Sequence, residues 1–362
     1  MKDSVLNVGF IGCGAIARKK HIPLAVQNPN LNIKAFFNRS SSAAELCKKE
    51  FGCRDAVVAR DAEEIFGDDS IDLIIVATPN SSHAAYSIRA LESGKHVICE
   101  KPMAVNAADA QRMLDASLRC GKMLHISYQN RYTNQALYAK RLVEEGILSN
   151  IYYAKAYAIR RRAVPTWGAA TSNGQGGGPL QDIGSHAIDL ALWLSGCFEP
   201  ECALGTAHYA LGKQGSEANY WGSWEPSRYE VEDLAVGLVR MKSGLTLSVE
   251  ASYALNTTEE KEASVDLFGV TGGLELRQTE GIRLVQELGG RMVISRDDIQ
   301  ITPRGLTPSM EHASPSQREQ QAVVQMLLDG KTYDPAAAQA AMVAKIVEGL
   351  YRSAATGRAV EF

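Results

Sequence analysis

The chain has 362 residues, 45% of them hydrophobic and 22% charged, which excludes a disordered chain or a disulfide-stapled miniprotein and suggests about two domains. Its 38 basic and 41 acidic residues leave a formal net charge of −3, so no basic field exists to displace counterions from a phosphate backbone, and nucleic acid is not an expected partner. Seven scattered cysteines without a CxxC pair read as reduced thiols, and the chain shows no signal sequence and no long apolar run, which points to a cytoplasmic protein away from membranes.

Apolar runs at 5–11, 33–37, 71–77, 96–99 and 124–127 alternate with helix-like stretches. That alternation predicts an α/β domain on a parallel, doubly wound Rossmann sheet. Residues 73–77 (LIIVA) lack polar alternation, as a strand covered on both faces requires. From about residue 151, IYYAKAYAI, VEDLAVGLVRM, LTLSVEASYAL and ASVDLFGV follow one another, and KSG at 242–244 joins two of them as a hairpin. This second part is expected to be an α+β domain on a large, mainly antiparallel open sheet. The expected division is a dinucleotide-binding domain over 1–128 and a substrate and oligomerisation domain over 129–332. Helices at about 333–362, with an apolar face of Ala338, Met342, Val343, Ile346, Val347 and Leu350, could pack on either.

Gly12, Gly14 and Ala17 form G-x-G-x-x-A between the first strand and a helical stretch over 15–26. Gly12 permits the tight turn, Gly14 leaves room for a pyrophosphate, and Ala17 lets helix and strand pack closely. The second strand then ends in Asn38 and Arg39 where an acidic residue would bind the ribose of NAD. Arg39 suits the 2′-phosphate of NADP, while Asn38 could bond a free ribose hydroxyl, so the cofactor is NADP or NAD with NADP favoured.

Residues just past the strand ends are privileged in such sheets. Thr78, Asn80 and His83 follow the LIIV run, Glu100 and Lys101 follow HVIC, and Asn130 follows LHIS. A lysine at this edge can stabilise a developing alkoxide on a substrate hydroxyl; a surface lysine is the plain alternative. In GGGPLQDIGSHAIDLALWLSG, Asp182 and His186 lie four residues apart, on one face if a helix begins near Asp182. With an ordinary pKa near ~6.5, a histidine can trade a proton with a hydroxyl, oriented by a carboxylate. A helix cap and a packing histidine would look the same in sequence. No HExxH and no third ligand cluster supports a metal, and none is expected.

These blocks, in their order and spacing, resemble the Gfo/Idh/MocA family, named for glucose-fructose oxidoreductase and inositol 2-dehydrogenase. The similarity runs through GCGAIA at 12–17, VATPNSSH at 76–83, HVICEKP at 96–102, YQNRY at 128–132, the 176–196 segment, 231–244 and 267–276. The resemblance implies Lys101, Asp182 and His186 as the catalytic group, His186 taking the hydroxyl proton and Lys101 polarising the oxygen. It implies Gly12, Gly14, Ala15 and Ile16 at the pyrophosphate and Thr78, Asn80, His83 and Glu100 near the nicotinamide half, with a cis Lys101–Pro102 bond. Asn130 and Arg131 fall near the domain junction, as structural residues or ligand contacts, and Asp189 could support the site. The implied reaction is reversible oxidation of a secondary alcohol of a sugar or cyclic polyol. Lys101, Asp182 and His186 with Tyr157, Arg160, Arg162 and Trp167 are the candidate substrate contacts; the Arg160 and Arg162 pair suits either an acidic substrate or solvent. Glycoside cleavage through transient redox and a non-catalytic cofactor sensor are the alternatives. An uncovered sheet face implies a homodimer or homotetramer.

Overall fold

A computed structural model describes residues 5–167, 170–278, 280–297 and 313–362. The chain divides into two compact units. The first comprises Met1–Ala104, Ala108–Ser127 and Ser316–Ala341, and the second Val105–Ala107, Tyr128–Pro315 and Met342–Phe362.

The first unit carries β1 (Leu6–Ile11), α1 (Ile22–Gln27), β2 (Leu31–Phe37), α2 (Ser41–Glu50), β3 (Val57–Val58), α3 (Ala62–Phe66), β4 (Leu73–Val76), α4 (His83–Glu92), β5 (His96–Glu100), most of α5 (Ala107–Cys120) and β6 (Leu124–Ser127). Among the described residues these strands pair in parallel in the order β3-β2-β1-β4-β5-β6. That is the expected Rossmann sheet, with the order reversing between β1 and β4, where ligands meet the carboxyl ends. All four residues of β4 are buried, which explains its unbroken apolar run. Phe10 and Phe36 stack at 5.5 Å, and burying each such side chain contributes about 1.5–3 kcal/mol. Val323, Val324 and Leu327 join the same core.

The second unit carries α6 (Asn134–Glu144), β7 (Tyr153–Ile159), α7 (Ser185–Ser195), β8 (Pro200–His208), β9 (Leu234–Met241), β10 (Thr246–Ser252), β11 (Lys261–Phe268), β12 (Gly273–Arg277), β13 (Gly281–Leu288) and β14 (Arg291–Asp297). The chain ends in α8 (Pro315–Leu328) and α9 (Pro335–Thr356), which the two units share, and β15 (Val360–Glu361) of the second unit. The strand order is β14-β13-β12-β11-β7-β10-β9-β8-β15, parallel between β7 and β10 and antiparallel elsewhere. The mainly antiparallel sheet is as expected, and the KSG turn does join β9 to β10.

Strand β9 shows how the faces differ: Ala235, Gly237, Val239 and Met241 are buried, while Val236, Leu238 and Arg240 between them are exposed. Gly205 and Gly237 admit the second half of α9 to the covered face. A Cβ on Gly237 would overlap the Leu350 side chain, and one on Gly205 would lie 2.7 Å from the Leu350 carbonyl oxygen. The C-terminal helices are thus divided: residues 316–341 belong to the first unit and 342–362 to the second.

Candidate functional site

The glycine loop takes its shape from two different needs. Gly12 has φ +99°, and a Cβ there would lie 2.5 Å from the Ala77 carbonyl oxygen at the end of β4, so the fold itself requires glycine. Gly14 has nothing within 4 Å of an added Cβ and no positive φ. Its lack of a side chain serves space outside the protein, which fits a pyrophosphate against the backbone. Ala15 and Ile16 are exposed beside it. The expected single α-helix contains a π-helical turn, Ala17–His21, before α1. Asn38 Oδ1 accepts from Cys13 N–H at 3.0 Å, and its amide donates to the Ser40 carbonyl at 3.1 Å, fixing the loop against the end of β2. Arg39 beside it is exposed.

The loops after β4 and β5 are joined through His83. Its ring is fully buried, with Nδ1 2.8 Å from the Pro102 oxygen and Nε2 2.9 Å from the Thr78 oxygen. Two carbonyl acceptors call for both nitrogens protonated. Burial opposes that charge, but Cys99 and the carbonyls outweigh it and raise the pKa to about 9. His83 is therefore a strut between loops: its ring, expected at the nicotinamide half, is occupied by main chain. Thr78 receives a hydrogen bond from Ser82 at 3.0 Å, and Asn80 is half-buried at the start of the following turn. The Lys101–Pro102 peptide is cis.

Glu100 also faces inward. Burial works against its ionised form, but Lys20 and His21 hold its carboxyl well below the usual range. Lys20 Nζ donates at 2.9 Å and His21 Nε2 lies at 2.7 Å from the same oxygen, while the other oxygen accepts from the Lys101 N–H at 3.1 Å. The resemblance implied a cofactor neighbour; the geometry makes Glu100 a support that ties the π-turn to the Lys101 backbone. Lys20 and His21 were not singled out in sequence, since a π-turn leaves no periodic signature.

In the second unit, each glycine of Gly176–Gly178 has its own reason. Gly176 has φ +87° against Val105, a Cβ on Gly177 would overlap the Tyr351 hydroxyl, and one on Gly178 would lie 2.5 Å from the Glu232 carbonyl oxygen. Glu232, 1% exposed, accepts from Gly178 N–H at 2.9 Å, Leu180 N–H at 3.1 Å and Tyr351 Oη at 2.7 Å. These bonds satisfy helix-start donors that would otherwise be orphaned. Asp182 sits on a second π-helical turn, Leu180–Gly184, and His186 on α7 directly after it, so both lie on successive turns near the start of the helical segment. Tyr253 donates to Asp182 Oδ2 at 2.6 Å; burial, then Asp182, keeps the phenol protonated. The His186 ring meets Tyr128 edge-on at 5.7 Å.

Arg160 joins this region: burial opposes its charge, but Glu262 and then Asp182 outweigh it and raise its pKa. Its guanidinium pairs with both oxygens of Glu262 and lies 5.2 Å from the Trp221 ring centroid, which meets Trp167 at 4.9 Å. Tyr157 does not belong here. It registers with Glu250, whereas Ala251, the next residue, faces Gly184. Strand alternation therefore puts Tyr157 on the opposite face, where it is buried and Lys261 lies 4.6 Å over its ring. Arg162 is turned to Asn256 Oδ1 and the Arg161 carbonyl. Asp189, offered as a supporting residue, is 1% exposed and paired twice with Arg131, at 2.8 and 2.5 Å. Arg131 and Asp189 thus hold the start of α6 against α7, and Asn130 lies in the short turn before it. Among the described residues no group of three or more His, Cys, Asp or Glu could hold a metal, and no helix is long and apolar enough to cross a membrane.

Residues 6–128 match the family model described as "Oxidoreductase family, NAD-binding Rossmann fold", and residues 140–362 match "Oxidoreductase family, C-terminal alpha/beta domain". The chain is 30% identical to D-glucoside 3-dehydrogenase of Escherichia coli (strain K12) over 362 residues, covering 100% of this chain and 99% of that protein. It is 32% identical over 197 residues to scyllo-inositol 2-dehydrogenase (NADP(+)) of Bacillus subtilis (strain 168), 54% of this chain and 53% of that protein. In fold it is similar to levoglucosan dehydrogenase in complex with NADH and levoglucosan, with TM-score 0.83, 22% identity and 99% of both chains covered.

Proposed function

The chain belongs to the Gfo/Idh/MocA oxidoreductase family, and from that premise we propose that it reversibly oxidises a secondary alcohol of a sugar, glycoside or cyclic polyol. Bound NAD(P) supplies the hydride acceptor or donor. The observation that carries the reading is the Tyr253 hydrogen bond to Asp182, on the turn that leads directly into His186. In oxidation His186 takes the hydroxyl proton, and in reduction it returns it. Asp182, oriented by Tyr253, holds the substrate and the imidazole in register, and the Lys101 ammonium stabilises negative charge on the reacting oxygen.

Both polar ends of the Asn38 amide are engaged in the loop, which leaves the exposed Arg39 as the side chain able to pair with a ribose 2′-phosphate. NADP is the favoured cofactor on this reading. The open sheet face, with Leu204, Val236 and Leu238 exposed side by side, supports a homodimer or homotetramer.

Titration of cofactor-free protein with NADPH and NADH, followed by nicotinamide fluorescence, tests the reading. Tighter binding of NADPH is expected, with Arg39→Ala removing the preference. Binding of neither cofactor refutes the dehydrogenase, and full turnover by both Lys101→Ala and His186→Ala refutes the assigned roles.

A further inference from the structure

Two loops of the second unit present aromatic rings outward. Trp167 is 54% exposed and Tyr220 80% exposed, and both pack edge-on against Trp221, at 4.9 and 5.5 Å. The loops are stapled by Asn219, itself only 6% exposed. Its Oδ1 accepts from Val164 N–H at 2.8 Å, and its amide donates to the Val164 oxygen at 3.0 Å and the Gly222 oxygen at 2.7 Å. Tyr220 N–H donates to the Arg162 oxygen at 2.9 Å, and Thr166 Oγ1 to the Trp221 oxygen at 3.1 Å. A buried amide with both its polar ends bonded fixes the segments it joins, and one of its partners, Val164, is itself buried. The joined loops make a rigid surface for a ligand.

Charge decides what kind of ligand. The Arg160 guanidinium that stacks on Trp221 is matched by Glu262. Arg161 donates to the Thr257 and Thr258 oxygens, and Arg162 to the Arg161 oxygen and Asn256 Oδ1. Each of the three arginines already donates twice to protein acceptors, which weakens their draw on a phosphate. A neutral ring fits, packing its C–H or π face on the indoles.

Resting on the oxidoreductase reading above, we propose that Trp167, Tyr220 and Trp221 form a subsite for a neutral ring linked to the sugar that is oxidised. The substrate is then a glycoside, with its aglycone or second sugar on the aromatic platform and the reacting sugar toward Asp182.

The experiment uses the full chain with its nicotinamide cofactor, and phenyl and methyl β-D-glucoside as probes. Steady-state kcat/KM and calorimetric affinity are measured for each. The wild type should prefer the phenyl glucoside, and Tyr220→Ala and Trp167→Ala should each lower the phenyl-to-methyl ratio about tenfold, with Trp167→Phe retaining it. Unchanged ratios in both alanine variants, preference for glucose 6-phosphate, absence of calorimetric binding, or a variant that alters only oligomeric mass each overturn the subsite. Calorimetric binding that the alanine variants weaken, without any cofactor reduction, upholds the subsite and instead overturns the oxidoreductase reading.

Discussion

The Tyr253 hydroxyl reaches from the end of β10 to Asp182 Oδ2 across 2.6 Å, joining the sheet to the turn that precedes α7. A hydrogen bond to a carboxylate favours its charged form. Tyr253→Phe removes that bond and should lower kcat/KM. Loss of a bond to a charged group predicts a fall of about 10- to 100-fold at the optimum. A kcat/KM equal to wild type would show that Tyr253 only packs.

The two kinds of glycine should separate stability from binding. Gly177→Ala drives a methyl into Tyr351 at φ +146°, and overpacking of this sort costs about 1–3 kcal/mol. Gly14→Ala meets no protein atom, so thermal unfolding should stay within about 0.5 kcal/mol of wild type while NAD(P) affinity drops. Equal affinity in Gly14→Ala would mean the loop does not carry the pyrophosphate.

Stability should fall with pH through the two buried histidines whose pKa is raised, His83 and His125. His125 Nδ1 lies 2.7 Å from Asp334 and Nε2 3.4 Å from Glu319. Burial opposes its charge, but the two carboxylates outweigh this and raise the pKa from 6.5 to about 9. A folded-state pKa above the unfolded value stabilises fully below pH ~6.5, and the contribution is lost as pH rises through ~9. Tm measured across that window should decline in the wild type and decline less in His125→Gln.

Asp189 is expected to matter for folding rather than chemistry. Removing it takes from the buried Arg131 guanidinium the carboxylate that it bonds twice, and breaking a buried ion pair in this way costs about 3–5 kcal/mol. Denaturant unfolding of Asp189→Ala should show this loss, and an Arg131→Met, Asp189→Leu double variant should recover much of it. A single variant with wild-type stability and abolished turnover would place Asp189 in the reaction instead.

Local pattern was enough to read the two-domain plan and the glycine loop in the sequence. Parallel strands buried on both faces must be continuously apolar, half-buried strands must alternate, and a turn such as Gly12 must be glycine whatever else surrounds it. Asp182 and His186 stand out in the sequence because they lie four residues apart, and the structure sets them on successive turns of one helical segment. What spacing does not encode is direction and long-range partnership. Only the register of β7 with β10 separates Tyr157 from the Asp182 face. Only burial turns Glu100 and His83 inward, because an ion pair or a carbonyl bond formed across 79 or 19 residues leaves no local trace. Glu232, Tyr253 and Asn219 went unnoticed for the same reason: each holds chain segments more than 50 residues apart. Which elements form, and where tight backbone is needed, follows from neighbours in the chain. The tertiary structure decided which polar groups face outward for chemistry and which are spent on the scaffold, since that depends on what each side chain meets after the chain has folded.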